Sequence, residues 1–241
     1  MTRFHMTESV GSVVAREPHL SRVFESLGID YCCGGRKSIA EACTEAGLDP
    51  AQVLKWLSEA AAARTGNDAG IIAADMSLTE LADHIEQTHH AYLKAELPRL
   101  DMMTEKVLTV HGGRDPRLSE LRETFISLAG ELLSHLQKEE KVLFPMIRRL
   151  EASEEPPTFH CGSLSNPVRQ MELEHDSAGN ALKRQRKLTD EYQPPEWACN
   201  TFRAMVEALA RLEDDLHQHI HKENNILFPK ALDLEAMRLR G

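Results

Sequence analysis

An eleven-residue stretch occurs twice in this chain. Residues 135–145 read His-Leu-Gln-Lys-Glu-Glu-Lys-Val-Leu-Phe-Pro, residues 219–229 read His-Ile-His-Lys-Glu-Asn-Asn-Ile-Leu-Phe-Pro, and six of the eleven positions are identical. The shared core is H-x-x-K-E-x-x-x-L-F-P. On a helix, a His and a Glu four residues apart lie on one face, one turn above the other, so each copy presents an imidazole and a carboxylate to a single point. That is the arrangement of a metal-ligand pair.

The surrounding pattern says where the pairs face. Leu118, Leu121, Phe125, Leu128, Leu132, His135, Glu139 and Val142 follow a three-four spacing, the seam of a packed bundle helix. Phe202, Met205, Leu209, Leu212, Leu216, His219, Glu223 and Ile226 repeat it. Both polar pairs therefore fall on apolar stripes. A carboxylate at a core position costs several kcal/mol, roughly, unless it is paired or bound to a metal. Two such violations in matching places argue for a site.

Two further histidines behave in the same way. His175 continues the seam of Val168, Met171, Ala178 and Leu182. In the preceding helical stretch two neighbours compete: Leu93, Leu97, Leu100 and Val107 put His90 on the stripe, whereas Leu78, Ile85 and Tyr92 favour His89. The repeat favours His90, because the two motif histidines are 84 residues apart (219 − 135) and His90 lies 85 before His175 (175 − 90). Four histidines and two carboxylates suffice for two metal ions, each taking two imidazoles while both carboxylates bridge. Coordination positions then stay open for a small ligand. Imidazole with carboxylate suits iron, manganese or zinc; iron is the choice that gives open positions a redox use. For any single histidine a hydrogen-bonded core role competes with this reading, and six such residues on four seams weigh against it.

The rest of the chain supports a helical protein. Its 241 residues can bury a sizeable core, and a net charge of −10 argues against a nucleic-acid or anionic-membrane surface. The amino-terminal residues hold no apolar run of the signal-peptide kind, and no segment approaches the ~18 apolar residues of a membrane span, so a cytoplasmic location is expected. Five cysteines, unevenly spaced, read as reduced thiols.

Residues 1–65 read as a small helical domain, 66–76 as a polar linker, and 77–241 as an antiparallel up-down-up-down four-helix bundle. In the small domain, Ser38 and Glu41 form a capping box, Gly47 is a stop, and Asp49-Pro50 opens another helix. A second capping box, Ser77 to Glu80, opens the bundle. Its helices are expected over about 78–110, 116–150, from Asn166-Pro167 to near Tyr192, and from beyond Pro194-Pro195 to about 235. Ahead of the Ser38 box lies Gly28-Ile29-Asp30-Tyr31-Cys32-Cys33-Gly34-Gly35. Adjacent cysteines do not readily close on each other, and a structural zinc site from two alone is disfavoured. A helix start with Arg36 and Lys37 nearby would lower a thiol pKa and favour reactivity at Cys32 and Cys33; two small buried residues in a tight turn is the competing reading.

With these residues in place the chain resembles a known family. The bundle is similar to a hemerythrin-like domain, and its combination with Asp30-Tyr31-Cys32-Cys33-Gly34-Gly35 resembles the RIC proteins, di-iron proteins for repair of iron centres with an amino-terminal Cys-Cys domain of the ScdA type. In that family the first-helix histidine stands eight residues before a Leu-Pro proline, here Pro98, which selects His90. The resemblance carries over His90, His135, Glu139, His175, His219 and Glu223 as metal ligands. Two departures from oxygen-carrying hemerythrins, Gly179 one turn after His175 and Glu223 at i+4 from His219, match the repair branch. His89 and Glu174 are candidates for supporting positions behind the ligands.

The resemblance implies a cytoplasmic homodimer holding two iron ions bridged by an oxo or hydroxo group. Its partners would be iron-sulfur proteins damaged by nitrosative or oxidative stress, with nitric oxide or oxygen as the small ligand. It would donate iron, with Cys32 and Cys33 serving transfer or docking, or reduce nitric oxide as an enzyme. A nitric-oxide- or oxygen-binding sensor without repair activity would need the metal site alone, and a metal-free helical interaction module would need neither.

Overall fold

Capping chemistry sets the helix starts. Ser38 Oγ accepts the Glu41 N–H, and the Glu41 carboxylate returns to the Ser38 N–H at 2.8 Å, the reciprocal box expected from the sequence. Ser77 and Glu80 repeat it, with the Ser77 N–H 2.8 Å from Glu80 Oε2 and the Glu80 N–H 3.1 Å from Ser77 Oγ. Gly47 ends its helix at φ 68°, a left-handed conformation that costs glycine nothing.

The computed structural model describes residues 4–63, 73–155 and 157–240, which are helical apart from turns and two isolated bridges, with no strand among them. The linker expected over 66–76 lies outside the described residues as far as 72. The helices are α1 (Val10–Arg16), α2 (Ser21–Ser26), α3 (Ile39–Ala46), α4 (Pro50–Ala63), α5 (Leu78–Ile85), α6 (Ala91–His111), α7 (Arg117–Lys138), α8 (Phe144–Ala152), α9 (Ser165–Leu188), α10 (Asn200–Lys222) and α11 (Phe228–Arg240). π-helical turns at Glu86–His90, Glu139–Leu143 and Glu223–Leu227 join α5 to α6, α7 to α8 and α10 to α11. No described helix is long and apolar enough to cross a membrane.

The chain forms two compact units, one of Ala82–Arg149 with Pro157–Leu216, the other of Met1–Leu81, Leu150–Pro156 and His217–Gly241. The first unit is the body of a four-helix bundle. Its side-chain ladders give the directions: Lys94 meets Glu140 while Arg122 reaches back to Asp101, so α6 and α7 are antiparallel. Arg184 meets Glu120 and Ser177 meets Glu131, so α7 and α9 are antiparallel; His89 with Asp215 and His111 with Cys199 do the same for α6 and α10. The result is the up-down-up-down order expected from the short connections. Its core is one apolar cluster from all four helices, including Leu93, Leu100, Phe125, Leu128, Leu182, Met205, Leu209 and Leu212.

Two helix ends differ from expectation. The third bundle helix starts at Ser165, with Ser163 Oγ accepting the Ser165 N–H at 3.1 Å, so Asn166-Pro167 sits within the first turn, where a missing N–H costs nothing. It stops at Leu188 and not near Tyr192, because Asp190, Glu191 and Tyr192 have φ of 50°, 57° and 60°. A right-handed helix cannot pass through three left-handed residues.

The other unit is built on Phe4, Val10, Val13, Val14, Leu20, Phe24, Ile39, Val53 and Leu57, with Ile220 of α10 in the same cluster. Glu151 of α8 anchors the start of α5 here, accepting the N–H groups of Leu78 and Thr79, each at 2.8 Å. Burial would raise its pKa, but these bonds, with Lys230 nearby, hold it below the usual carboxylate value. A folded-state pKa below the unfolded one gives stability that is present above the unfolded value and lost as pH falls through the folded one. Glu151→Ala is expected to cost about 1 kcal/mol at pH 7, measured by urea unfolding. The gap between variant and parent is expected to close in acid, and a gap that persisted there would rule out this carboxylate as its source.

Candidate metal centre

The π turns place the ligands. Pro145 and Pro229 lack an N–H and clash with the carbonyl four residues back, which favours opening the helical ladder just before them. Glu139 and Glu223 are the first residues of the two resulting turns, and His90 is the last residue of the third. An extra residue in a turn rotates everything beyond it by about 100°. Val142, expected on the core stripe, is accordingly 39% exposed, and Leu143 takes its place at 1%. The same insertion explains the competition between His89 and His90: each belongs to the register on its own side of the turn, and both are buried.

In the bundle unit, His90, His135, Glu139 and His175 converge. Glu139 is fully buried, and its Oε2 lies 3.4 Å from His90 Nε2 and 3.3 Å from His135 Nε2. His175 Nε2 is 3.1 Å from His135 Nε2. In the other unit His219 Nε2 lies 3.0 Å from Glu223 Oε1, with both side chains buried. The two HxxKE pairs thus each adopt the His-over-Glu stacking that their spacing implied.

The outer nitrogens show how the rings are held. His90 Nδ1 is 2.8 Å from Glu140 Oε1, and His135 Nδ1 is 2.8 Å from Glu174 Oε2. A carboxylate only accepts, so each Nδ1 carries a proton, and each Nε2 faces inward toward Glu139. Lys94 backs Glu140 at 2.6 Å, and Lys138 backs Glu174. Burial would raise the Glu174 pKa, but bonds from Lys138, Gln170 and His135 hold it at about 2. Burial is likewise opposed at Glu140, by Lys94 and His90, and its pKa is lowered. This carboxylate-histidine pairing is how proteins orient metal-binding imidazoles. Two ring nitrogens 3.1 Å apart beside a buried carboxylate are donor types that suit a cation. Buried His and Glu groups of this chain could therefore hold a metal.

Sequence reasoning found Glu174 but missed Glu140. Glu140 sits beside a ligand on its own helix, and only the crossing of α6 over α7 brings it to His90. His89 turns away from these residues: its Nδ1 is 2.8 Å from Asp215 Oδ1.

Cys32 and Cys33 lie in the other unit with Asp30, their donor atoms within 4.8 Å of one another. Asp30 Oδ1 accepts the N–H groups of Cys32 and Cys33 at 3.1 and 3.0 Å and lies 3.3 Å from Cys32 Sγ. The expectation of a lowered thiol pKa fails at Cys32. The adjacent Cys33 sulfur, burial and the Asp30 charge push that thiol well up. The helix start that was to lower it is taken by Ser38, and Lys37 is paired with Glu45. No cysteine is in a disulfide.

The loop that carries the pair is clasped by α10 and the π turn after it. Asn225 Nδ2 donates to the Tyr31 and Cys32 carbonyls at 3.2 and 2.9 Å, and Gln218 donates to the Tyr31 hydroxyl at 2.7 Å. Asn225 also fits against Gly11 and Gly35, where a Cβ would come within 2.4 and 2.3 Å of its Oδ1. His221, edge-on to Tyr31 at 5.5 Å, has its pKa lowered to about 4 by burial and is neutral at pH 7.

A bundle that turns imidazoles and buried carboxylates inward defines a class, and comparison with known proteins gives the same one: residues 81–231 match the Hemerythrin HHE cation binding domain family, to which this chain belongs. Residues 6–61 match a second family, the ScdA_N domain of unknown function. Among curated proteins, the chain is 34% identical over 228 residues to the iron-sulfur cluster repair protein YtfE of Yersinia pseudotuberculosis serotype IB (strain PB1/+), covering 95% of this chain and 98% of that one. It is equally similar to the protein of the same name from Yersinia pestis (strain Pestoides F), with the same coverage.

Glu140→Gln and Glu174→Gln are each expected to weaken metal binding by about 10–100-fold, read as ferrous-iron affinity by chelator competition. Asp215→Asn, opposite His89, is expected to leave it within a factor of about two to three. Equal losses in all three variants would mean that the carboxylates act through bundle stability alone.

Proposed function

We propose that this chain is an iron-sulfur cluster repair protein with a di-iron centre. The two ions would be held by the six residues expected from the sequence, His90, His135, Glu139, His175, His219 and Glu223. The donor set fits iron: imidazole and carboxylate only, buried, with each outer nitrogen of His90 and His135 fixed by a carboxylate. When bound, the pair would supply exchangeable ferrous iron and a redox-active position for nitric oxide. The chain's own residues do the rest. Glu140 and Glu174 orient two of the rings, and the apolar bundle keeps bulk water from the carboxylates.

The observation that carries repair over simple gas binding is the clasp on the cysteine loop. Asn225 lies two residues beyond Glu223 on the same π turn and holds the carbonyls of Tyr31 and Cys32. A gas sensor needs no thiols tied to its ligand helix; a protein that passes iron to a client does. Cys32, Cys33 and Asp30 form a small donor set suited to receive or guide the metal. The clients would be iron-sulfur proteins damaged by nitric oxide or oxidants. Residues 1–65 and 77–241 would act as the thiol and di-iron modules, and the chain would work in the cytoplasm as a homodimer.

The test is restoration of a nitric-oxide-damaged iron-sulfur enzyme by the iron-loaded protein. Glu139→Ala and Glu223→Ala are expected to lose most of the bound iron and all restoration. Cys32→Ser with Cys33→Ser is expected to keep the iron and lose restoration. If that double variant restored the enzyme at the parental rate, the transfer role of the pair would be wrong; iron unchanged in both Glu variants would remove the centre itself.

A further inference from the structure

The bundle unit holds a second, unrelated thiol environment. Cys199 immediately precedes α10, a helix of 23 residues, and the Arg203 N–H bonds its carbonyl at 3.0 Å, so it occupies the cap position. Its side chain is exposed at the start of that helix. From the last turn of α6, His111 Nε2 approaches that sulfur at 3.1 Å. A thiol and an imidazole from two different helices, within hydrogen-bond reach of each other, are the two parts of an activated nucleophile.

The imidazole is held in place. His111 packs against Trp197 and Phe202, with ring centroids at 5.6 and 5.7 Å, and those two rings meet each other at 5.6 Å, so the imidazole is seated in one aromatic cluster. Arg114, one turn after His111, lays its guanidinium over the Trp197 ring at 4.4 Å. An accessible sulfur, a positioned base and a cation therefore stand together on one surface.

We propose that Cys199, held against His111, acts as a thiolate nucleophile in reversible exchange with a small carboxylate-bearing disulfide of the glutathione class. The Cys199 sulfur forms a bond to one sulfur of that disulfide, the disulfide's own S–S bond breaks, and the other half leaves as a thiolate that takes a proton from solvent. Cys199 is thereby oxidised to a mixed disulfide and the departing half is reduced, with no further oxidant required. Arg114 supplies the charge that a carboxylate of the small disulfide meets. The hydrogen bond from His111 and those from the helix start lower the Cys199 pKa to about 7, near the value at which an attacking thiol works best in neutral solution. Two of the other four thiols contrast with this: Cys32 and Cys43 are buried and their pKa values are raised.

The first measurement is the rate of alkylation by iodoacetamide, mapped by peptide across a pH series on the full-length protein. Cys199 is expected to titrate with a midpoint of about 7. His111→Ala is expected to move the midpoint toward ~8.5 and slow the reaction at pH 7 on the order of ten-fold. With glutathione disulfide at pH 7, Cys199 is expected to take the adduct before the other four cysteines and release it to dithiothreitol. Arg114→Gln is expected to slow glutathione disulfide but not uncharged hydroxyethyl disulfide. A parental midpoint at the ordinary thiol value, or an adduct that forms first elsewhere, overturns the proposal, and both are read on the parent protein without any variant. Equal rates for the two disulfides in the Arg114 variant and the parent would overturn the carboxylate contact.

Discussion

The bundle unit is organised around one buried carboxylate. Glu139 is fully buried between the imidazoles of His90 and His135, and burying such a charge is unfavourable by several kcal/mol, roughly, unless opposite charge is supplied. The next shell does not supply it. Glu140 and Glu174 add two further negative charges behind the rings, and Lys94 and Lys138 return only two positive ones. Three carboxylates, two ammonium groups and the imidazoles are thus gathered at one place in the bundle. Buried imidazole and carboxylate together are the donor types of a cation site, in keeping with the cation-binding family to which the chain belongs.

Much of this was legible in the sequence because the polar residues expected as ligands break the apolar pattern in a periodic way. His135, Glu139, His175, His219 and Glu223 each interrupt a seam at a position where Leu or Ile would be ordinary, and the structure buries all five. Helix direction was legible too, since short connections between long helices leave little choice. The π turns were not read, although they left a trace. Two registers competing at His89 and His90 are what one inserted residue produces, and the exposure of Val142 beside the buried Leu143 is the same effect in the next helix. A pattern that fits two registers on the two sides of one point is evidence for a π turn at that point.

What stayed hidden depends on helix crossing or on where local charge is already spent. Glu140 reads as a solvent-facing residue until α6 is laid over α7. Cys32 reads as an activated thiol because Arg36, Lys37 and a helix start are close in sequence. In the folded chain the helix start belongs to Ser38, Lys37 is paired with Glu45, and Asp30 turns its carboxylate onto the sulfur. Proximity along the chain therefore gave the wrong sign for that thiol pKa. Cys199 is the converse: its neighbours in sequence suggest nothing, and its partner His111 is 88 residues away (199 − 111). Thiol chemistry follows the field at the sulfur.

The fourth helix shows how two sites come to share one element. On the segment from His217 to Asn225, the positions His219 and Glu223 form one stripe, spaced by four. Gln218, His221 and Asn225 form another at nearly the same spacing, and its contacts go to Tyr31 and the Cys32 backbone. The stripe of His219 and Glu223 is visible in the sequence because it continues Leu212 and Leu216, whereas the stripe facing Tyr31 reads as an ordinary polar face. That face is largely covered all the same: His221 is 3% exposed, Gln218 and Asn225 are half-buried, and Asn225 fills a space that only glycine at positions 11 and 35 leaves open. A rotation of this segment large enough to move Glu223 would also move Asn225, which is two residues away on the same π turn. The placement of Glu223 and that of the Cys32 loop are thus set by the same few backbone angles, and a substitution at Gly11 or Gly35 would have to displace the Asn225 side chain that links them.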